Sequence, residues 1–176
     1  MNDGQKIIWT IGHSNHTIKE FTDLLISFDI GIVADIRSFP GSNHYPHFNK
    51  EALEISLTEK DIEYIHLKNL GGRRRTKKNS HNLGWRKESF RGYADYMETE
   101  DFKEAVNELE ELAIKKRVAI MCAEAVWWRC HRSMVSDYLK LDGWRVIHIL
   151  GTDKTEEHPY TQPARIIQGK LTYPGE

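Results

Sequence analysis

Two cysteines, Cys122 and Cys130, are the residues whose types and spacing most directly suggest chemistry in this sequence. Cys122 directly follows a strongly apolar run, and Cys130 stands eight residues later, beside His131. Arg129 and Arg132 flank the second cysteine. Nearby cations lower the pKa of a cysteine, and the resulting thiolate is a nucleophile near neutral pH. The pattern therefore predicts that Cys122 is a nucleophile, whereas the alternative is a small buried hydrophobic residue at a strand end.

Three further side chains have two interpretations each. Cys130 is either a resolving thiol for Cys122, which suits redox or persulfide chemistry, or a packing residue in the first turn of a helix. Glu124 is either an acid or base, or an acceptor for loop amides. His13 is either a general base or a structural group. We expect Cys122, Glu124 and His13 to be the catalytic residues.

The same residues allow a metal site as an alternative. Cys122, Cys130, His131 and His13 are of types that bind zinc, but the sequence lacks the short Cys-x-x-Cys or His-x-x-x-His spacing. No Gly-x-Gly-x-x-Gly motif follows the first predicted strand. We therefore expect neither a metal nor another cofactor.

Hydrophobic periodicity predicts the elements that position these residues. Strand-like and helix-like segments alternate, which predicts a three-layer α/β domain with a mostly parallel five-stranded sheet. Predicted strands cover residues 7–11, 31–36, 63–67, 117–121 and 144–150; predicted helices cover 17–28, 49–60 and 92–97, and others begin at 99 and near 130. Thr17 and Glu20 form a capping box, and Asn49 is a cap for the second helix. We expect one domain over residues 1–176, in which residues 150–176 form a packed tail with a hairpin turning at Gln168-Gly169.

Polar side chains follow several of the predicted strands. Ligands of open α/β sheets bind beyond the carboxyl ends of the strands, so we expect these side chains to surround a site for a small anionic substrate. The candidates for binding this anion are Ser14, Asp35, Arg37, Ser38, Gly72, Arg73, Tyr93, Arg129, Cys130, His131 and Arg132.

Composition excludes several classes of protein. The net charge is −1, and no apolar stretch approaches the roughly 20 residues of a membrane-spanning helix. The N-terminal residues 1–6 show no signal-peptide pattern, and two cysteines do not suggest a disulfide scaffold. We expect a cytoplasmic protein without membrane contact, and the oligomeric state stays open.

Residues 73–89 form a basic segment without periodicity, with Trp85, Phe90 and Tyr93 in or near it. One interpretation is contact with nucleic acid through residues 73–87, in which cations meet phosphates and aromatic rings stack on bases. The other is a solvated, mobile loop.

Eight short motifs together resemble one prokaryotic family, named Domain of Unknown Function 488. They are TIGHS (10–14), DIRSFP (35–40), FNK (48–50), LGGR (70–73), RGYADYM (91–97), MCAEA (121–125), RCHRS (129–133) and HPYT (158–161). The sequence departs from the family at Val126-Trp127-Trp128, where a short polar stretch with proline is more common. The resemblance implies a fold and a site, but no agreed reaction.

The chain also has a more limited similarity to rhodanese-like sulfurtransferases and cysteine phosphatases. In both, a cysteine after a strand lies in a loop of converging amides. The spacing from Cys122 to Arg129 is one residue longer than in the phosphatases, and the step to Arg132 is longer than the rhodanese loop. The leading hypothesis is sulfur or phosphoryl transfer by Cys122, with Arg129 and Arg132 holding the anion. The alternatives are a non-catalytic nucleotide or nucleic-acid binding module, and a metal-dependent hydrolase using Asp35, Glu124 and the cysteines.

Overall fold

The computed structural model describes residues 4–176. The prediction that the N-terminus lacks a signal peptide falls partly on residues 1–3, which lie outside the described residues. Within residues 4–176, no helix combines the length and apolar character needed to cross a bilayer.

The described chain contains eight strands and five α-helices. The strands are β1 (Ile7–Gly12), β2 (Ile32–Asp35), β3 (Glu63–His66), β4 (Val118–Cys122), β5 (Arg145–Gly151), β6 (Lys154–Glu157), β7 (Arg165–Ile167) and β8 (Lys170–Thr172). The helices are α1 (Ile18–Ser27), α2 (Lys50–Thr58), α3 (Glu88–Tyr96), α4 (Glu100–Lys115) and α5 (Arg132–Leu141).

Six strands form one mixed sheet in the order β3-β2-β4-β1-β5-β6. The first five are parallel, and β6 pairs antiparallel with β5. The prediction of a five-stranded sheet is therefore wrong by one strand. The missed strand, β6, has the polar sequence KTEE and lies at the sheet edge, where charged residues discourage pairing with other chains and no apolar alternation marks the strand.

Helices cover both faces of the parallel strands. Ile120 belongs to a core that includes residues of α3, α4 and α5, whereas Met121 belongs to a second core with α1 and α2. This alternation follows from the period of two along a strand. All five residues of β4 are buried, as expected for a central strand covered on both faces.

The structure confirms one predicted cap and corrects the other. Thr17 Oγ1 accepts the Glu20 N–H at 3.1 Å, and the Glu20 carboxylate accepts the Thr17 N–H at 2.9 Å, as in a capping box. Asn49 precedes α2, but its side chain does not cap the helix. Its Oδ1 atom instead accepts the Ser42 N–H at 2.6 Å, which holds the loop after β2 in place.

One helix start also differs from the sequence prediction. Helix α3 begins at Glu88, before the predicted residue 92, whereas α5 begins at Arg132, close to the predicted start near Cys130. The hairpin β7–β8 is confirmed, and its turn residues Gln168 and Gly169 have φ angles of 52° and 75°. Two positive φ angles are typical of the type I′ turn that matches the strand twist.

The loop after β4 packs closely on the end of β1. A Cβ atom on Gly12 would lie 1.7 Å from the Glu124 carbonyl oxygen, so only glycine fits there. The N–H of His13 donates to the Cys122 carbonyl at 2.9 Å, which fixes the two chain segments side by side. The position of Cys122 therefore depends on the absence of a side chain at Gly12.

We expect Gly12→Ala to lower the free energy of unfolding by about 2–3 kcal/mol, because the added methyl group must displace a backbone carbonyl. Urea denaturation measures this change. Gly41→Ala is the matched control, since no heavy atom lies within 4 Å of its added Cβ. Equal midpoints for the two variants would contradict the close packing at Gly12.

Candidate functional site

A cleft of about 690 Å³ opens at the carboxyl edge of the parallel strands. It is lined by most of the side chains that the sequence singles out, and these are His13, Ser14, Arg37, Ser38, Gly72, Arg73, Tyr93, Cys122, Glu124, Cys130 and His131. Asp35, Arg129 and Arg132 do not line it. Parallel strands that end at the same edge account for this convergence of distant sequence positions.

The two cysteines meet in the wall of the cleft. Their Sγ atoms are 2.9 Å apart, and both thiols are free and buried. The backbone N–H of Arg132, the first residue of α5, donates to Cys130 Sγ at 3.3 Å. The positive end of α5 therefore acts on Cys130.

Arg132 lies behind the cysteines with only 1% of its surface exposed. Its Nη2 atom donates to the carbonyl oxygens of Glu124 and Ala125 at 3.1 and 3.4 Å, and its Nε atom has no hydrogen-bond partner among the described residues. Within residues 4–176 it forms no salt bridge. A buried cation without a carboxylate is costly, so an anion beside it is strongly favoured.

The Cys122 thiolate is the anion that this arrangement favours. Burial by itself raises the pKa of Cys122, but the hydrogen bond from Cys130 and the charge of Arg132 outweigh it and lower the pKa to about 7. Burial and the neighbouring Cys122 raise the pKa of Cys130 well above its usual value. Near neutral pH, Cys130 thus remains a thiol and donates its hydrogen to the Cys122 sulfur.

The loop between the cysteines turns carbonyl oxygens toward this cation. The Glu124 carbonyl oxygen is 3.7 Å from Cys122 Sγ and accepts from Arg132. This contact differs from the converging amides expected from the similarity to rhodaneses and phosphatases. The Glu124 side chain is exposed and lines the cleft, whereas Arg129 is exposed outside it.

Asp35 acts on the cleft through Arg37. The Asp35 carboxylate is fully buried and accepts from Arg37 Nε at 2.9 Å and from Nη2 at 2.8 Å. The Tyr64 hydroxyl donates to the same carboxylate, and the Phe48 carbonyl accepts from Arg37 Nη2 at 2.8 Å. These contacts hold the Arg37 guanidinium in one orientation at the cleft wall.

His13 is a neutral group in the cleft lining beside Arg37. Its Nδ1 atom contacts the Ser14 carbonyl at 2.9 Å, and its Nε2 atom faces Arg37 Nη1 at 3.4 Å, so Nδ1 carries the proton. Burial, aided by the charge of Arg37, lowers the pKa of His13 to about 4. Its ring stacks on Phe48 with centroids 4.4 Å apart. His13 can therefore accept a proton but adds no positive charge.

The loop after β3 forms the rim of the cleft. Ser38 Oγ donates to the Gly72 carbonyl at 2.8 Å, and an added Cβ on Gly72 would lie 3.0 Å from His131 Nδ1. Ser38 and Gly72 thus set the shape of the rim. Arg73 is exposed in the left-handed region with φ 63°, and it forms no salt bridge within the described chain. Arg73 is therefore an unpaired cation at the entrance.

Two predicted anion-binding residues make other contacts. The Tyr93 hydroxyl donates to the Leu70 carbonyl at 2.7 Å, and the His131 ring donates through Nε2 to the Ile36 carbonyl at 2.9 Å. Burial, with smaller contributions from nearby arginines, lowers the pKa of His131 to about 4. Both rings shape the cleft wall, and neither polar hydrogen points into the cleft.

The sequence analysis missed the outer wall, which is formed by the segment after β2. Phe39, Ser42, His44 and Tyr45 line the cleft there. Pro40 and Gly41 in this segment favour a turn, so the sequence did not mark it as a cleft wall. The available signal was the composition of this segment, since aromatic and polar residues directly follow a strand that ends in a carboxylate.

The described residues also bear on the metal alternative. Within residues 4–176, no group of three or more histidine, cysteine or acidic side chains is arranged to hold a metal ion. The carboxylate of Asp35 is already occupied by Arg37 and Tyr64. The metal-dependent hydrolase thus lacks a ligand set in this part of the chain.

Comparison with known proteins identifies the family. The model of the domain of unknown function DUF488 matches residues 17–139, which is more than half of the chain. The protein therefore belongs to this family, as its motifs suggested. Comparison with curated proteins and with solved structures gave no match.

The variant Arg132→Met lacks the buried cation, but methionine keeps much of the side-chain volume of arginine. We expect the alkylation midpoint of Cys122 to rise from near 7 toward the ordinary value of about 8.5, because the charge of Arg132 no longer opposes burial while the hydrogen bond from Cys130 still lowers the pKa. Mass spectrometry of peptides alkylated over a pH series measures the midpoint. Arg129→Met, an exposed neighbour outside the cleft, is the control and should leave it unchanged. Equal midpoints in both variants would contradict the role of Arg132.

Proposed function

We propose that this protein is a cysteine-dependent sulfurtransferase in which Cys122 accepts a sulfur atom from a small anionic donor. The observation that carries the proposal is the thiol pair, with sulfurs 2.9 Å apart beside a buried, unpaired arginine at the wall of an open cleft. A thiolate available near pH 7 is the nucleophile that such a reaction requires.

The first step transfers one sulfur atom to Cys122. The Cys122 thiolate attacks the outer sulfur of a persulfide donor, R–S–SH, and forms the Cys122–S–SH persulfide. The bond between the two donor sulfurs breaks, and the donor leaves as the thiolate R–S⁻. The electron pair thus moves from Cys122 to the leaving sulfur, and no external oxidant or reductant is needed.

The charges in the cleft favour an anionic donor. Arg73 is exposed at the entrance and forms no salt bridge among the described residues. Arg37 lines the cleft and is held there by its salt bridge to Asp35. A thiosulfonate, or a persulfide R–S–SH whose R group is anionic, would contact these cations. His13 is neutral near pH 7 and can accept a hydrogen bond from the incoming donor.

Two features favour sulfur transfer over phosphoryl transfer. Arg129, near the position of the phosphatase arginine, lies outside the cleft and cannot hold phosphoryl oxygens there. The Glu124 carbonyl oxygen near Cys122 would repel a phosphoryl group, where phosphatases direct amides. A second thiol in contact with the nucleophile also suits persulfide chemistry.

Cys130 supplies the second step. Its thiol loses a proton and its sulfur attacks the inner sulfur of the Cys122 persulfide, which forms a Cys122–Cys130 disulfide and releases HS⁻. A dithiol reductant then restores both thiols. The short distance between the two sulfurs supports this step because little side-chain movement is needed.

Substitution of each cysteine distinguishes the two steps. With a persulfide donor and no dithiol, we expect the wild-type protein to release about one sulfide per chain and to stop as an internal disulfide. Cys130→Ser should accumulate a Cys122 persulfide, because the attacking thiol is gone. Cys122→Ser should form neither product.

Intact-mass spectrometry with a sulfide assay follows these products, and addition of a dithiol should restore turnover in the wild type by reducing its Cys122–Cys130 disulfide. Thermal denaturation checks that both variants are folded. If Cys122→Ser takes up and releases sulfur as fast as the wild type, the proposal is wrong.

A further inference from the structure

A second cleft of about 730 Å³ lies beside the cysteine site. Its walls are the basic segment around residues 83–90, the loop carrying Trp127 and Trp128, and the chain around residues 160–165. Phe90 lines both clefts, and the tryptophan loop joins Cys122 to Cys130. The second cleft therefore adjoins the first at Phe90.

Unpaired cations surround this second cleft. Arg86, Lys87 and Arg165 are exposed in its wall, and none of them forms a salt bridge within the part of the chain that the structure describes. Arg165 donates only to backbone carbonyls, at 2.7 and 2.8 Å. Glu176 is the acidic residue in the lining. The excess of positive charge is local, because the whole chain has a net charge of −1.

Aromatic side chains line the second cleft together with these cations. Trp128 is 52% exposed, which is unusual for so large an apolar ring. Its ring packs edge-on against Trp127, and Trp127 stacks on the buried His148 with centroids 4.7 Å apart and planes 6° apart. Trp128 is therefore held on a fixed support with an open side toward solvent.

Buried hydrogen bonds hold the opposite wall. The Asp137 carboxylate of α5 accepts from His158 Nε2 at 2.8 Å, from the Thr161 N–H at 2.9 Å and from the Tyr173 hydroxyl at 2.9 Å. These contacts anchor the chain on both sides of Tyr160, whose ring also lines the cleft. The cleft is thus formed between fixed walls.

The basic segment is itself held against α3. The buried Asp95 carboxylate accepts from the Lys77 N–H at 2.9 Å, from Ser80 Oγ at 2.6 Å and from Asn82 Nδ2 at 2.8 Å. The backbone approaches so closely that a Cβ on Gly92 would lie 2.1 Å from the Arg74 carbonyl oxygen. The cations at Arg86 and Lys87 are consequently presented from a fixed loop.

We propose that this second cleft binds single-stranded nucleic acid. Unpaired cations would contact successive phosphates, and Trp128 would stack on an exposed base. A duplex keeps its bases stacked on each other, so it could use the cations but not the tryptophan. Binding at this cleft does not depend on the chemistry proposed for Cys122, so each proposal can fail without the other.

Fluorescence anisotropy with labelled oligouridylate and oligodeoxythymidylate tests the proposal, with a duplex of equal length for comparison. We expect tighter binding of the single strands, and comparison of the two sugars shows whether the 2′-hydroxyl contributes. Three phosphate contacts predict a slope of log K against log salt of about −2, and Arg86→Ala with Lys87→Ala should reduce it to about −0.7.

Trp128→Ala should weaken single-strand binding about tenfold and leave the salt slope unchanged, because it removes stacking and not charge. Trp128→Phe should restore most of the affinity. Lys60→Ala with Lys115→Ala removes the same charge from exposed positions outside the cleft and is the matched control. The proposal is overturned if the duplex binds as tightly as the single strands, if Trp128→Ala binds like the wild type, or if the control pair changes the salt slope equally.

Discussion

The burial of the Arg132 guanidinium is the constraint on which the candidate site depends. The side chain is 1% exposed, its Nε atom is unpartnered, and no carboxylate pairs with it in the described chain. A cation in this position is tolerable when an anion forms beside it. The ionised Cys122 is that anion. Against the effect of burial, the hydrogen bond from Cys130 and the charge of Arg132 lower the pKa of Cys122, whereas burial and the neighbouring Cys122 raise the pKa of Cys130.

The fold brings this charge and the cysteines together from separate elements. Cys122 ends the central strand β4, Arg132 begins α5, and the intervening loop fits only because Gly12 of β1 has no side chain. The loop also carries Trp127 and Trp128 to the neighbouring cleft. The same nine residues, 123–131, therefore shape both the proposed sulfur site and the proposed nucleic-acid surface, although the two proposals rest on different side chains.

Local patterns predicted much of this arrangement, and tertiary contacts decided the rest. The apolar run of β4 and the Thr17 capping box depend on neighbouring residues, so both could be recognised in the sequence. Strand β6 is polar and is defined by its pairing with β5, so no local pattern marked it. Likewise, Arg129 and Arg132 looked equivalent in the sequence, but only Arg132 shares the buried face of α5 with Val135, Ser136 and Leu139. Their spacing of i, i+3, i+4 and i+7 was a usable signal.

Direct titration of thiolate by its ultraviolet absorbance tests the central claim, that Cys122 neutralises Arg132. We expect nearly one thiolate per folded chain at about pH 8, which falls to half near pH 7, disappears on further acidification and is absent from Cys122→Ser. Cys130→Ser should retain most of this thiolate, because Arg132 remains in place and the serine hydroxyl can donate where the Cys130 thiol did. If the wild-type protein shows no thiolate below about pH 8.5, the ordinary value for cysteine, Arg132 does not ionise Cys122 and the account is contradicted.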